Sequence, residues 1–503
     1  MKLNIIRSKW TAILTVALAL SSCTSDFDEI NKNPNAPETV TPDLLLSGIE
    51  RDLMRSVLNE AWGIGNVVIQ HTAKNQFVNE DRYLWGELNA VWNGVYDNLR
   101  DVQAMISLSE ESGEMNYKGV ALVLRAWMFS LATDCYGDIP YSEASQAKVG
   151  GIYYPKYDSQ QEIYNGILAD LEEANDLLKN VLNVKGDLIY GGDVAKWRKL
   201  ANTLRVRYLM RISDRIEVGT TLQAIVSDPA NFPIFEGTAA DWNGDNAVYK
   251  YLANSPDQFP LFSARIGSFN EFRASKTMMD KLIGMNDQRY KIFFRPTPET
   301  EATATTADDK YVGIPNGMDD VGALTYNGGP QFQSRIGTLY YELANTDAGL
   351  KVAKGVIMTF AELQFLLAEA REKGLITIGD AATYYANGIN ASFSFYGLTP
   401  EVTYFTQPAV DYTGSSDEKL EKIGTQKWIA FYYQGLEAWF DWRRTGYPTL
   451  LPAVDNQNED KIPVRFIYPI IEQSLNATSR SAAVGRQGAD DINTRVWWDV
   501  NPN

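Results

Sequence analysis

One stretch of the chain constrains its fold more than any other: residues 159–179, SQQEIYNGILADLEEANDLLK. Ser159-Gln160-Gln161-Glu162 is a capping box, in which the serine and the glutamate each satisfy a backbone N–H that a helix start leaves unpaired. Behind it Ile163, Ile167, Leu171, Ala174 and Leu178 fall on one face, with Glu172, Glu173 and Lys179 elsewhere, the 3.6-residue period of an amphipathic helix. Such a helix is marginal alone and needs a partner for its apolar stripe. The same period recurs in residues 193–213, where Asp193 is the cap and Trp197, Leu200, Ala201, Leu204 and Tyr208 form the stripe. It recurs again in MNYKGVALVLRAWMFSLATDCYG, VIMTFAELQFLLAEAREKG and KLEKIGTQKWIAFYYQGLEAWFDWRRTG. Thr41 and Pro42 mark the start of a first helix as N-cap and first-turn proline. The expected fold class is mainly α.

Two of these helices read as first members of antiparallel pairs. Interleaved small and aromatic positions (Ala368, Ala370, Tyr384, Tyr385, Ala391) suit close stacking of the tetratricopeptide-like kind. Long segments rich in Gly, Pro, Asn and Thr interrupt the helices, about 229–350 and 398–417, and are expected to build an irregular second lobe. No composition break divides residues 41–503, read as one domain.

The first 22 residues are an address rather than structure. Lys2, Arg7 and Lys9 precede the apolar run Thr11–Leu20, too short to span a bilayer, and Leu20-Ser21-Ser22-Cys23 resembles the lipobox of bacterial lipoproteins. Cleavage leaves Cys23 as the acylated first residue, followed by a polar tether over 23–40. A net charge of −17 argues against nucleic acid. One histidine (His71) and two cysteines leave neither a His-rich zinc site nor a four-cysteine site, and a Ser-His-Asp triad would have to use His71, which reads as structural. Aromatic residues, by contrast, make up 12% of the chain and suit stacking on sugars or peptides.

Several segments together resemble one family. FDEINKNPNAPETVTPDLLLSG after the cysteine, LATDCYGDIPYSEA (131–144), YPKYDSQQEIYNGILADLEEANDLL (154–178), GDVAKWRKLANTLRVRYLMRIS (192–213), MTFAELQFLLAEA (358–370), IGTQKWIAFYYQGLEAWFDWRRTGYP (423–448) and GADDINTRVWWDV (488–500) follow the order and spacing of SusD/RagB outer-membrane nutrient-binding lipoproteins, in their SusD-like branch. The resemblance implies four tetratricopeptide-like units under an irregular ligand-binding lobe. It also implies a surface-exposed outer-membrane protein, without catalysis, that binds an oligosaccharide or a peptide. The implied partner is a SusC-like TonB-dependent barrel, which the lipoprotein caps and supplies.

The candidate ligand residues are aromatics outside the periodic helices, with polar neighbours: Asn75, Phe77, Arg82, Tyr83 and Trp85 in HTAKNQFVNEDRYLWGELNA (71–90), joined by Trp242 and Tyr326. The resemblance implies that such a segment serves the ligand site together with mid-chain loops. If the five rings share a platform, they converge on one concave face with at least two exposed. The opposing expectation is that each ring plugs its own loop onto the scaffold. Two further functional classes stand beside binding: a lipid-anchored glycan hydrolase and a non-binding outer-membrane scaffold. For a hydrolase Glu437 and Asp441 would be the acid/base pair, but Arg443 and Arg444 beside them favour ion pairing. The basic run Lys196, Arg198, Lys199, Arg205, Arg207, Arg211, Arg215 is expected to pair with acidic helices. No cofactor or metal is called for, although ADDINTRVWWDV and GMDDVGALTYNGG hold oxygens a structural Ca²⁺ could use.

Overall fold

Ser159 caps its helix as the sequence requires: its side chain accepts from the Glu162 N–H, and Glu162 reaches back to the Ser159 N–H. The computed structural model describes residues 40–180, 182–264, 268–301 and 306–501; the leader, Cys23 and the tether up to residue 39 lie outside them. The frame consists of α1 (Pro42–Glu60), α2 (Ala90–Ser112), α3 (Met115–Tyr136), α4 (Gln160–Leu177), α5 (Val194–Ile212), α6 (Phe360–Glu372), α7 (Ala381–Phe395), α8 (Ser416–Ala430) and α9 (Gly435–Thr445). Pro42 opens α1, and Asp193 caps α5 by accepting from the N–H groups of Ala195 and Lys196. No helix among the described residues is long and apolar enough to cross a membrane.

Helices α1 to α5 each pack on the next in the chain, and α6 packs on α7 and α8. The link from α2 to α3 is two residues long, and Gly113 takes the left-handed conformation (φ +76°) that ends a helix cheaply only at glycine. A link this short makes the pair antiparallel. The stripes of α4 and α5 face this packing: Ile163, Ile167, Leu171, Ala174 and Leu178 are buried, as are Trp197, Leu200, Ala201, Leu204 and Tyr208. Arg125, which interrupts the apolar run of α3, lies along Asp170 of α4 in a two-pronged contact of 2.6 and 2.8 Å.

Charges hold the deeper layer. Arg207 of α5 meets Glu362 of α6 at 2.5 Å, and Arg211 meets Asp134 of α3 at 3.1 Å and Glu437 of α9. Lys427 of α8 contacts Glu369 (3.2 Å) and Asp441 (3.0 Å), and Arg444 closes the group on the same two carboxylates. Glu437 and Asp441 are therefore engaged as ion-pair partners. The basic run on α5 pairs with acidic helices only in part: Arg205 reaches Glu172 of α4, Lys199 reaches Glu236 and Asp245 in a loop, and Lys196 and Arg215 take the Gly244 and Trp497 carbonyls. Arg198 takes Asn175 and the Asn231 carbonyl. Of the tail, Trp498 is buried against the frame, with its indole N–H donating to Asp134 at 2.6 Å.

After α1 the helix widens into a single π-type turn, Ala61–Gly65, which brings Gly65 against Gly435 at the start of α9. A Cβ on Gly65 would lie 2.7 Å from the Gly435 carbonyl carbon, so the two backbones meet only because both lack side chains.

The segments between α5 and α6 are irregular but not featureless. Strand β1 (Thr72–Lys74) pairs antiparallel with β3 (Phe272–Ala274), and β2 (Ala247–Lys250) with β4 (Lys354–Met358). Short helices interrupt the expected loop region: Lys276–Gly284, capped by Ser275, and Asp320–Thr325, capped by Asp319. Met278, Met279 and Leu282 anchor the first of these, a nine-residue stripe too short to stand out from sequence.

Because Leu171 and Leu204 are fully buried, Leu→Ala at either position costs about 2–5 kcal/mol in transfer and cavity terms. Urea midpoints of both variants check this; values equal to wild type would show that these faces carry no packing.

Candidate ligand-binding site

The segment that follows α1 is fastened to the scaffold at His71. Burial lowers the imidazole pKa to about 3, so the ring is neutral and its Nε2–H donates to the Trp428 carbonyl at 2.9 Å. Trp428 returns the bond through its indole N–H to the Ile69 carbonyl, also at 2.9 Å. From this anchor β1 runs outward to a tight loop closed on a buried carboxylate. Asp81 accepts from the Lys74 N–H (3.0 Å) and from the Asn316 side-chain amide (2.7 Å), and burial pushes its pKa up to about 6. Asn316 also donates to the Thr72 carbonyl at 2.8 Å, tying loop and strand to the mid-chain lobe.

This closure decides where each candidate side chain points. Phe77 (φ +51°) and Tyr83 (φ +63°) both sit in the left-handed region, which bulky residues rarely occupy. Phe77 is thrust outward and is 70% exposed, whereas Tyr83 is turned inward, only 2% exposed, its hydroxyl accepting from the Ala453 N–H at 3.1 Å. Trp85 also faces the frame. Its indole N–H donates to the Glu80 carbonyl (3.0 Å), and its ring meets Phe466 and Trp439 edge-on at 5.6 and 6.1 Å between centroids. Arg82 donates to the Asp455 carbonyl at 3.0 Å.

Asn75 is buried where three segments meet. Its amide lies within reach of Gln333 (3.2 Å), the Glu271 carbonyl (2.9 Å) and the Arg273 guanidinium (3.0 Å); the amide oxygen turned to Arg273 and the nitrogen to Glu271 satisfies both. Gln333 in turn donates to the carbonyls of Ala323 (2.8 Å) and Tyr326 (3.0 Å). Gln333 lies against Asn75 and so brings the Tyr326 loop, with Tyr326 and Phe332 half-buried, beside the Phe77 loop. Trp242 lies apart, stacked on Phe360 at the start of α6 (6.1 Å, 26°). The five rings thus do not share one surface: Tyr83 and Trp85 pack inward, because their partners lie on distant loops and on α9, and Trp242 belongs to another segment. Gln333 and Arg273, which complete the junction, left no signal in the sequence, since they lie far from Asn75 along the chain.

Other concavities are differently lined. One of about 500 Å³ has a charged wall of Asp280, Lys281, Glu418, Glu421 and Lys422. Another of about 260 Å³ borders the buried ions Glu369 and Arg444. A third of about 440 Å³ is walled by Tyr154 and residues 474–479, and both Tyr153 and Tyr154 are 73% exposed. No group of three or more His, Cys, Asp or Glu side chains that could hold a metal occurs among the described residues.

Residues 34–469 match the family model described as starch-binding associating with outer membrane, of SusD-like type. The chain belongs to the SusD-like family. Solved structures agree with the helical frame described above. A SusD homologue from Bacteroides fragilis is 28% identical, with 92% of this chain and 99% of that chain covered and a TM-score of 0.77. A structure described as a chitin-binding protein is 30% identical over 92% of this chain and 100% of that one, with a TM-score of 0.76. A Bacteroides vulgatus protein ascribed to the outer membrane and to nutrient binding is 29% identical, with 92% and 100% coverage and a TM-score of 0.77. No curated protein matches the chain. The SusD-like fold is mainly α, as its helical pairs implied.

Since half-buried Trp85 packs against Trp439 and Phe466, Trp85→Ala is expected to act on folding, destabilising by about 1–3 kcal/mol, less than a fully buried tryptophan. Thermal and urea unfolding check this; an unchanged midpoint with lost ligand binding would return Trp85 to the ligand face.

Proposed function

We propose that this SusD-like chain is a surface-exposed outer-membrane lipoprotein that binds an oligosaccharide on the face formed by the Phe77 and Tyr326 loops. It hands that ligand to a TonB-dependent SusC-like barrel, and Cys23 is its lipid attachment. The observation that carries the binding reading is Phe77, a 70% exposed ring held at positive φ by a loop closed on Asp81. A strained and solvent-facing phenylalanine is costly in a protein that does not use it, and a flat ring is what the apolar face of a sugar buries against. The family's description as starch-binding and the 30%-identical chitin-binding protein support a glycan. Asn327 and Gln331, both exposed on the Tyr326 loop, offer amides for sugar hydroxyls. A hydrolase reading loses its candidate carboxylates, since Glu437 and Asp441 are spent on Arg211, Lys427 and Arg444.

Phe77→Ala is expected to weaken glycan binding by about 1–3 kcal/mol, the scale of one aromatic contact, with the unfolding midpoint unchanged. Isothermal titration with starch- and chitin-derived oligosaccharides measures it. Loss of binding in Tyr154→Ala, with Phe77→Ala unaffected, would move the site to the Tyr154 groove. Acyl chains on Cys23 are the strong hydrophobic attachment in this reading, so Cys23→Ala is expected to leave the outer-membrane fraction in a strain lacking the barrel. Unchanged fractionation there would overturn the anchor assignment.

A further inference from the structure

Beside Asn75, three arginines come together on neighbouring segments. Arg273 of β3 and Arg335 form an antiparallel bridge, which sets their side chains on the same face, and the Arg295 N–H donates to the Arg335 carbonyl at 2.9 Å. Two carboxylates answer them. Glu301 contacts Arg295 at 2.7 Å and Arg335 at 3.2 Å, and Glu342 contacts Arg295 at 3.1 Å. Arg273 has no ion pair among the described residues. Although only 6% exposed, it is held by the carbonyls of Asn270 and Phe272 and by the Asn75 side chain. Burial and the neighbouring Arg335 lower its pKa to about 10. Arg335 is the outer member, its side chain 28% exposed, and its Nε is a buried donor without an acceptor.

Five other buried guanidinium groups are treated differently: Arg207, Arg211, Arg289, Arg444 and Arg465 each meet a carboxylate within 3.1 Å, while Arg205 reaches Glu172 at 3.5 Å and Arg443 lies on the Val464 and Asp134 carbonyls. A desolvated cation without a counter-ion is costly, and like charges facing each other across strands add to the cost. In a chain of net charge −17, three arginines facing two carboxylates are a local excess of positive charge, not a general property of the surface. Guanidinium geometry suits a planar or trigonal oxyanion, which it can meet with two parallel N–H groups.

We propose that Arg335, with Arg273 behind it, receives an anionic substituent of the glycan, a uronate carboxylate or a sulfate ester. The bound anion supplies the missing counter-charge and makes acidic glycans the preferred ligand class. This rests on the glycan-binding reading above and adds charge to it.

The test is isothermal titration of wild type, Arg335→Gln and Glu301→Gln with three oligosaccharide probes: an oligogalacturonate, a sulfated galactan fragment and a neutral galactan fragment. Wild type is expected to bind at least one charged probe about tenfold tighter than the neutral one, an advantage that shrinks with added NaCl. Whichever charged probe holds that advantage identifies the anion. Arg335→Gln is expected to abolish the advantage and leave neutral binding unchanged. Glu301→Gln, which removes the competing carboxylate, is expected to enlarge it, so the inference stays testable even where Arg335→Gln folds poorly. Neutral binding without any charge preference in wild type, or a preference intact in Arg335→Gln, would overturn this proposal and leave the glycan reading standing. If none of the three probes binds, this proposal falls, and the starch and chitin titrations decide the glycan reading separately. An acidic peptide that binds through Arg335 while all glycans fail would reassign the site to peptides.

Discussion

Lys427 has no exposed surface, and the helical frame is arranged around it and its neighbours. Its ammonium lies between Glu369 of α6 and Asp441 of α9, which Arg444 also holds, while Arg207 and Arg211 of α5 reach Glu362, Asp134 and Glu437. Charges this deep are tolerated only when each meets its opposite in good geometry. Apolar stripes alone leave helices free to slide by a turn with small loss of area. An ion pair across two helices has one satisfactory register, and here the pairs link α3, α5, α6, α8 and α9. The network's contribution therefore lies in uniqueness of packing more than in net stability.

The Phe77 loop inherits its position from that frame. Trp428 stands one residue beyond Lys427 on α8, and its carbonyl and indole hold His71 and Ile69. His71 leads into β1, β1 into the loop closed on Asp81, and that loop into the exposed Phe77. Because burial keeps His71 neutral well below physiological pH, its donated bond persists across the range in which surface histidines change charge. A chain of short, satisfied bonds thus carries the precision of a helical core out to an irregular loop.

What could be read from sequence was what neighbours within a few residues decide. The capping box at Ser159 and the cap at Asp193 are such cases, as are the α4 and α5 stripes. Trp85 and Tyr83 were legible as aromatics in a polar loop. That they turn inward depends on Trp439, Phe466 and Ala453, more than 350 residues away, which no local pattern encodes. Phe77 shares their composition and neighbourhood but finds no such partner, and backbone closure on Asp81 sends it the other way. The arginine junction was hidden for the same reason: Arg273, Arg295 and Arg335 become neighbours only through strand bridges in a lobe that reads from sequence as loops.

The contact of Trp498 with Asp134 has a consequence for the order of events in the protein's life. The Trp498 indole N–H donates to the carboxylate that Arg211 also holds, and its ring lies 5.3 Å from the Arg211 guanidinium and 4.7 Å from that of Arg443. Asp134 and Trp498 are separated by 364 positions, so the innermost charges wait for nearly the whole chain before their last partner arrives. Contacts of such long range make folding slow and late. A chain emerging from a ribosome cannot close this core until the end has been made. The wiring of the core thus delays commitment to the native state until synthesis is nearly over.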